Sequence, residues 1–442
     1  MTKTKKIHDS SLALRLFLLC WMVYFSSYLG RLNYSSAMTV MLDTEIITKA
    51  QAGFISMIYF LAYGIGQCLN GFAGDKVNPK NMITCGLIVS AGMNLIMTFS
   101  RNFLIMTAAW LVNGYAQSTI WPPIIRIFSE MLETKIKLKY CVDIVSTQAA
   151  GTFASYFLSA AIIACTKWQF VFLAATLILS AAAVIWNIGF SSVKRRAQKE
   201  QEQSRADDSE ESEWSRCSEC CQCTKQKQEI YGTGQNQVKR QSDFFRLLSV
   251  SGSLILIFPI LVHGILKDGV VSWVPTFLSE TFKSGAHTAI LLTSVIPIIN
   301  LSGAYAGKFV FRKMKNDEIR ASVLFFAISA AGLFILFQFG NRNIFLTVFL
   351  LSVVTVSMMA VNTLLINIYP LRFEQDGRVA SMSGFLNASA YVGTAISTYC
   401  IGILVQSRGW ETTIFTWFLT ALAALGLCII ACKKISASNR KD

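Results

Sequence analysis

The sequence predicts an all-α membrane protein of about twelve transmembrane helices, arranged as two pseudo-symmetric halves of six. Of its 442 residues, 53% are hydrophobic and 15% are charged, whereas a typical soluble domain has about 25% charged residues. Continuous apolar runs, each near the ~20 residues that cross a bilayer as a helix, recur along the whole chain. They exclude a disordered chain and, because they do not alternate with polar residues, a β-barrel.

Twelve apolar runs divide the chain into two halves and a polar connection. The N-terminal half, 1–190, contains runs at 12–40, 50–74, 82–100, 103–131, 140–165 and 168–190. The C-terminal half, 246–442, contains runs at 246–281, 287–311, 320–338, 343–369, 378–406 and 410–432. Residues 191–245 have little apolar content and nearly equal numbers of acidic and basic side chains, so we expect a flexible cytoplasmic linker there.

The distribution of the 40 Lys and Arg residues predicts the orientation of the helices. Short segments on the side of the two termini hold 20 of them, and loops on the opposite side hold six. Because cytoplasmic loops are enriched in Lys and Arg, we expect a multi-pass protein of the cell (inner or plasma) membrane with both termini cytoplasmic. Most of the net charge of +15 is therefore topological and does not indicate nucleic-acid binding.

Two basic residues lie inside the apolar runs at corresponding places of the two halves, Arg31 in the first run and Lys267 in the seventh. A cation at mid-bilayer is costly unless it faces a wet cavity or a partner, so it is a functional candidate. Arg31 shares a helix face with Ser27, Tyr28 and Ser35, and a guanidinium among hydroxyls suits an oxyanion. The alternative is a structural ion pair, for which Asp268 is the clear intramembrane acid.

Several motifs resemble those of the major facilitator superfamily. The loop after the second run reads Gly71-x-x-x-Asp75-Lys76-x-Asn78-Pro79-Lys80, and its Asn-Pro variant resembles the organophosphate:phosphate antiporter family, which includes glycerol-phosphate and hexose-phosphate transporters. Further matches are Tyr28-x-x-Arg31-x-Asn33, Ala62-Tyr63-Gly64, Trp121-Pro122-Pro123-x-x-Arg126, Trp273-Val-Pro275-Thr276 and Gly384-Phe385 with Tyr391 and Gly393. The resemblance implies the major facilitator fold, with a substrate bound near the midplane between repeated halves.

The resemblance also implies roles for particular residues. Arg31 and Lys267 would clamp the substrate phosphate, although the family more often has Arg at the second position. For Lys267 the alternative is a pair with Asp268, but adjacent helical residues point about 100° apart. We therefore do not expect a side-by-side pair, and expect Asp268 to contact another helix instead.

Other candidate substrate-binding residues are Tyr28, Tyr63 and Tyr391, which lie where the family has cavity tyrosines, and Thr152, which aligns with a family histidine. His263, four residues before Lys267, either donates to an anion, titrates near neutral pH or packs inside the bundle. Leu32 and Gln67 replace lysines of the glycerol-phosphate type, which leaves the substrate open. Gly71, Asp75, Lys76 and Arg126 are gating or structural candidates, since such pairs latch the cytoplasmic gate in this superfamily.

The predicted function is secondary transport of an organic anion, with organophosphate for inorganic phosphate exchanged by rocker-switch alternating access. Antiport is favoured because, apart from Asp268, the runs lack a buried acid that a proton symporter would use. The alternatives are transport of a carboxylate or another organic anion, and a membrane sensor of a sugar phosphate with little transport. We expect a monomer in the lipid bilayer with a small anionic substrate, no cofactor, no nucleic acid and no enzymatic activity.

Four cysteines, Cys217, Cys220, Cys221 and Cys223, cluster within the predicted linker. The cluster is too tight for the usual zinc geometry of two separated C-x-x-C pairs. We therefore expect no metal site and a plain solvated linker with reduced thiols.

Overall fold

The computed structural model of the chain describes residues 7, 9–74, 77–133, 136, 139–140, 143–144, 146–215, 254–340, 342–373 and 379–438. The four cysteines of the predicted linker lie outside these ranges, and so do Asp75 and Lys76.

The described residues of the N-terminal half contain seven named helices. They are α1 (Ser10–Asp43), α2 (Lys49–Gly74), α3 (Pro79–Phe99), α4 (Phe103–Ser118), α5 (Trp121–Met131), α6 (Ser146–Cys165) and α7 (Gln169–Ser215). Polar caps fix several starts; the side chain of Asn102, for example, accepts hydrogen bonds from the Leu104 and Ile105 N–H groups, which otherwise have no partner in the first turn.

The C-terminal half is interrupted more often. Helix α8 (Leu254–Gly264) passes through a π-helical segment (Ile265–Gly269) into α9 (Val270–Phe282), followed by α10 (Ala286–Thr293) and α11 (Val295–Lys313). Helix α12 (Glu318–Phe339) precedes α13 (Ile344–Val361), which continues as a π-helical segment (Asn362–Ile368) and a 3₁₀ turn (Tyr369–Phe373). The last helix is α14 (Val379–Ser438).

These elements confirm the predicted twelve spans. Ten described helical stretches are long and apolar enough to cross a membrane. One of them, α14, contains two spans, because two helices meet at a kink at Gly409, whose φ of 79° is favourable for glycine. The remaining span is α4 with α5, broken at Thr119 and Ile120 just before Pro122 and Pro123.

The structure corrects one feature of the predicted linker. Helix α7 does not end near residue 190 but continues to Ser215, because residues 191–215 are rich in Arg, Lys, Gln, Glu and Ala and contain no glycine or proline. The division of the chain into 1–190, 191–245 and 246–442 stays a prediction, since residues 216–253 lie outside the described part.

The two halves are joined at the ends of the helices opposite the chain termini. The Thr39 and Thr276 hydroxyl oxygens lie 3.1 Å apart, linking α1 to α9. The Lys49 ammonium, at the start of α2, forms a 2.8 Å ion pair with Glu280 of α9, and the same carboxylate oxygen accepts a hydrogen bond from the Trp410 indole. We call Lys49, Glu280 and Trp410 the latch.

Further hydrogen bonds between described residues of the two halves lie at this end or at mid-span. Besides the latch and the threonine pair, the Ala50 N–H donates to Gln406, and the Tyr156 hydroxyl donates to the Val271 carbonyl. The halves are therefore closed on the side of the loop after α1. With the predicted orientation, this is the side that faces away from the cytoplasm.

Loss of the latch should open this side. The Lys49 and Glu280 side chains are 27% and 24% exposed, so their pair contributes up to about 1 kcal/mol, or about fivefold in population. We expect Lys49→Met to add a population of molecules with a longer distance between spin labels at Glu45 and Lys283. The distance is measured in a protein from which the native cysteines have been removed. The control Arg320→Gln removes an ion pair with Asp317 inside one half. An unchanged distance in Lys49→Met would show that the pair does not hold the halves together.

Candidate anion site between the two halves

Arg31 is a partly buried cation whose surroundings are aromatic. Its guanidinium carbon lies 4.1 Å from the ring centroid of Tyr28 and 5.4 Å from that of Tyr63. Within the described residues its Nε is buried without a hydrogen-bond partner, and Arg31 is absent from the ion pairs formed there. Aromatic faces attract a desolvated cation by up to about 2 kcal/mol, less than an anion would supply. Arg31 is therefore left with capacity to bind an anion.

A network of buried amides fixes α1 next to this side chain. The Asn94 and Asn113 amides both donate to the carbonyl of Gly30, over 3.1 and 3.0 Å. Asn33 donates to Asn94 over 2.8 Å, which gives the Asn33 of the Tyr28-x-x-Arg31-x-Asn33 pattern a structural role. Because the acceptor is the residue just before Arg31, α3 and α4 hold the backbone that carries the guanidinium.

The structure corrects the prediction for Lys267 and Asp268. The Lys267 ammonium lies 3.2 Å from a carboxylate oxygen of Asp268, and the two side chains are 13% and 33% exposed. The pair that α-helical geometry disfavours forms because residues 265–269 are π-helical. A π-helix has more residues per turn, so neighbouring side chains diverge by a smaller angle, and the long Lys side chain spans the rest.

His263 lies deep inside the bundle without a hydrogen-bond partner. It is 2% exposed, and neither ring nitrogen has a partner among the described residues. Lys267 and Asp268 are close enough to His263 for electrostatic interaction. A buried imidazole without partners is unfavourable by about 1–3 kcal/mol per unpaired group, so His263 gains from any ligand that supplies an acceptor or donor.

Close backbone contact brings α8 next to α14. A Cβ atom on Gly264 would collide with the carbonyl of Ala390, and one on Gly393 would collide with the carbonyl of Leu261. These glycines therefore allow an approach that no other residue permits. The result is that His263 and Lys267 lie beside the part of α14 that carries Tyr391.

Tyrosines connect the two cations. The rings of Tyr63 on α2 and Tyr391 on α14 lie 5.1 Å apart and join the halves, while Gln67 donates to the Tyr63 hydroxyl over 2.9 Å. Tyr28 and Tyr391 each lie within electrostatic range of both Arg31 and Asp268. The structure thus brings Arg31, Tyr28, Tyr63, Tyr391, His263 and Lys267 into one region between the halves.

The sequence reasoning missed two tyrosines of this region. Tyr59 is 3% exposed and stacks on Tyr63 at 6.1 Å, and Tyr24 packs edge-on against Tyr28 at 5.4 Å. The signal was present, because Tyr24 and Tyr28, and Tyr59 and Tyr63, are each four residues apart and so share a helix face. Ser27, by contrast, turns its hydroxyl to the Tyr24 carbonyl of its own helix.

The remaining candidates lie elsewhere or are only partly described. Thr152 is buried on α6, beside Gly151, where α6 packs closely on Tyr28. Arg126 on α5 donates to Glu130 over 2.7 Å and to the carbonyl of Val77 over 3.0 Å. The second contact places Arg126 against the loop after α2. Gly71 lies in the last turn of that helix. The predicted gating role of Asp75 and Lys76 falls outside the described residues.

The chain belongs to the major facilitator superfamily. The sequence-family model described as Major Facilitator Superfamily matches residues 20–382 of the chain. The bacterial homologue of the human lysosomal transporter Spinster, in an inward-facing and unoccupied conformation, superposes with a TM-score of 0.75 at 11% identity over 97% of this chain and 98% of that one. A D-xylose-proton symporter superposes with a TM-score of 0.66, also at 11% identity, over 95% and 96% of the chains. These likenesses show the fold.

Two proteins that are similar to this chain are named as transporters of organic phosphates. The probable hexose phosphate transport protein of Chlamydia trachomatis is 28% identical over 116 residues, 26% of this chain and 25% of that protein. The match therefore spans about a quarter of the length of this relative. The phosphoglycerate transporter protein of Salmonella typhimurium is 21% identical over 421 residues, 92% of this chain and 86% of that protein.

Loss of either cation should remove anion binding. We expect Arg31→Ala and Lys267→Ala each to abolish the thermal stabilisation of the purified protein by inorganic phosphate, because each removes an N–H donor set and one positive charge from the site. Arg126→Ala is the matched control, since it removes a guanidinium that contacts Glu130 and Val77 and lies outside the proposed anion site. Retained stabilisation in both Arg31→Ala and Lys267→Ala would place the anion site elsewhere.

Two substitutions of His263 separate binding from packing. If the imidazole contacts the ligand, His263→Asn keeps a polar group and retains phosphate-induced stabilisation better than His263→Phe. If the imidazole only fills space, His263→Phe is the better tolerated variant, because burying an unpaired amide is costly. Thermal unfolding with and without phosphate measures both effects, and equal phosphate shifts in the two variants would assign His263 to packing.

Proposed function

We propose that this protein exchanges an organic phosphate for inorganic phosphate across the membrane by rocker-switch alternating access. The observation that carries the proposal is Arg31, a guanidinium whose buried Nε has no hydrogen-bond partner among the described residues, at the junction of two halves, with Lys267 on the opposite half. A guanidinium fork and an ammonium are the groups that bind phosphate oxygens best. The full-length relative named a phosphoglycerate transporter, and the partial relatives named hexose phosphate and glycerol-3-phosphate transporters, support the same substrate class.

The geometry suggests how one anion reaches both halves. Arg31 is fixed on the N-terminal half by the amide network at Gly30, and it offers the guanidinium edge to the phosphate. Lys267 has three N–H donors, of which one points to Asp268, so two remain for the ligand. Tyr28, Tyr63 and Tyr391 provide further hydroxyls around the same space. An anion held in this way attracts the two halves toward each other and favours closure around it.

Exchange of one anion for another follows from the positive charge that Arg31 places inside the helix bundle. In an empty site the described residues offer the Arg31 charge tyrosine side chains and no paired acid, and moving it between two closed forms without an anion is unfavourable. A bound anion compensates the charge, so the halves reorient when loaded and resist reorientation when empty. A transporter of this kind moves one anion in each direction. The latch side is closed, and in the predicted orientation this is the side that faces away from the cytoplasm.

Two other functions have a specific observation in their favour. A relative named a probable sulfoacetate transporter, from Cupriavidus necator, is 20% identical over 88% of this chain, which favours transport of another organic anion. The membrane sensor protein UhpC of Escherichia coli is 22% identical over 23% of this chain, which favours a sensor with little flux. Leu32 and Gln67, in place of family lysines, are compatible with either.

Reconstitution tests the proposal directly. Liposomes loaded with inorganic phosphate should take up labelled organic phosphates only when phosphate is inside, and Arg31→Ala should reduce that uptake to the level of protein-free liposomes. Uptake that is independent of internal phosphate would contradict exchange. Uptake of a sulfonate or carboxylate but of no phosphate compound would establish the second function, and phosphate binding without flux would establish the sensor.

A further inference from the structure

The ion pair between Lys267 and Asp268 changes the charge of the proposed site. Three ionised side chains of the described part lie there, namely Arg31, Lys267 and Asp268. The Asp268 carboxylate pairs with Lys267 at 3.2 Å and neutralises it, whereas no acid in the described part pairs with Arg31. The site therefore carries one net positive charge rather than the two expected from the cations alone.

Asp268 belongs to the site and not to the surface of the bundle. It lies on the π-helical segment and is close enough to interact electrostatically with His263, Tyr28, Tyr156 and Tyr391. These groups come from its own span, α1, α6 and α14, and Arg31 contacts the same Tyr28. Lys267 is the single basic partner of Asp268 among the described residues, so the carboxylate has no second cation to move to.

The number of charges on the ligand then decides the charge balance. A singly charged anion on Arg31, with Lys267 and Asp268 still paired, leaves the site neutral. A doubly charged anion leaves one uncompensated negative charge in surroundings of low dielectric, next to the Asp268 carboxylate, which is unfavourable. Separating Lys267 from Asp268 does not help, because it leaves the carboxylate without a partner.

We propose that Asp268 makes the site selective for a singly charged oxyanion, so that a phosphate ester is bound as its monoanion. Lys267 and Asp268 act as one unit: the ammonium donates to the ligand and to the carboxylate together. The inference rests on the proposed function, since it assigns the charge of the anion that the same site takes.

Two probes of different titration behaviour test it. Methyl phosphate is a monoester with a second pKa of about 6, so its monoanion falls from roughly half at pH 6 to roughly 1% at pH 8. Methanesulfonate keeps one charge at both pH values. For the intact protein we expect the apparent affinity for methyl phosphate to fall about 50-fold between pH 6 and pH 8, relative to the ratio for methanesulfonate, which corrects for effects of pH on the protein itself.

Substitution of the carboxylate should reverse this preference. Asp268→Asn raises the site charge to two, so the affinity for methyl phosphate should stay level or rise from pH 6 to pH 8, while Asp268→Glu keeps the fall. Glu280→Gln, which removes the acid of another lysine pair, should keep the fall as well. A level affinity in the unaltered protein, or the same fall in Asp268→Asn, would overturn the inference. Absence of binding of both probes at both pH values would instead overturn the proposed anion site.

A double variant separates charge from structure. Lys267→Met alone leaves Asp268 unpaired and the site without net charge, so binding of methanesulfonate should be lost. Lys267→Met with Asp268→Asn restores one net positive charge on Arg31, and methanesulfonate binding should return at least in part. If the double variant binds no better than Lys267→Met while its thermal unfolding is cooperative, the charge count is not what selects the ligand.

Discussion

The charge of Arg31 inside the helix bundle is the constraint on which the rest of the structure depends. Its guanidinium lies against Tyr28 and Tyr63, and no acid among the described residues compensates it. A cation inside a membrane bundle persists only if the fold supplies substitutes for water. Here the amides of Asn94 and Asn113 fix the backbone at Gly30, and the tyrosines provide faces and hydroxyls. In the proposed function, a bound anion completes this charge balance.

The two halves contribute in unequal ways. The N-terminal half holds an isolated cation on a regular α-helix, whereas the C-terminal half holds a cation and its counter-ion on a π-helical segment. Beyond that segment the chain continues to Thr276 and Glu280, which bond to the N-terminal half. The same span therefore carries both Lys267 of the proposed site and Glu280 of the latch, so in the proposed function ligand binding is connected mechanically to closure of the halves.

Much of the fold follows from the sequence because a membrane limits the possibilities. Apolar runs of about twenty residues have to be helices, and the positions of Arg31 and Lys267 are visible as charges inside them. The pairing of Lys267 with Asp268 was not predictable from helical periodicity, since it depends on a local change to π-helix. The latch was not predictable either, because Lys49, Glu280 and Trp410 are far apart in the chain and meet only through packing.

The most direct test of the account is where a bound phosphate lies. Solid-state NMR can measure ³¹P–¹⁵N dipolar couplings between phosphate and protein labelled at the Arg and Lys side-chain nitrogens, with Arg31→Lys and Lys267→Arg used to assign the signals. The account predicts couplings from both Arg31 and Lys267, at hydrogen-bonded separations of roughly 3–4 Å between phosphorus and nitrogen. A phosphate coupled to neither residue, or only to the basic loops, would contradict it.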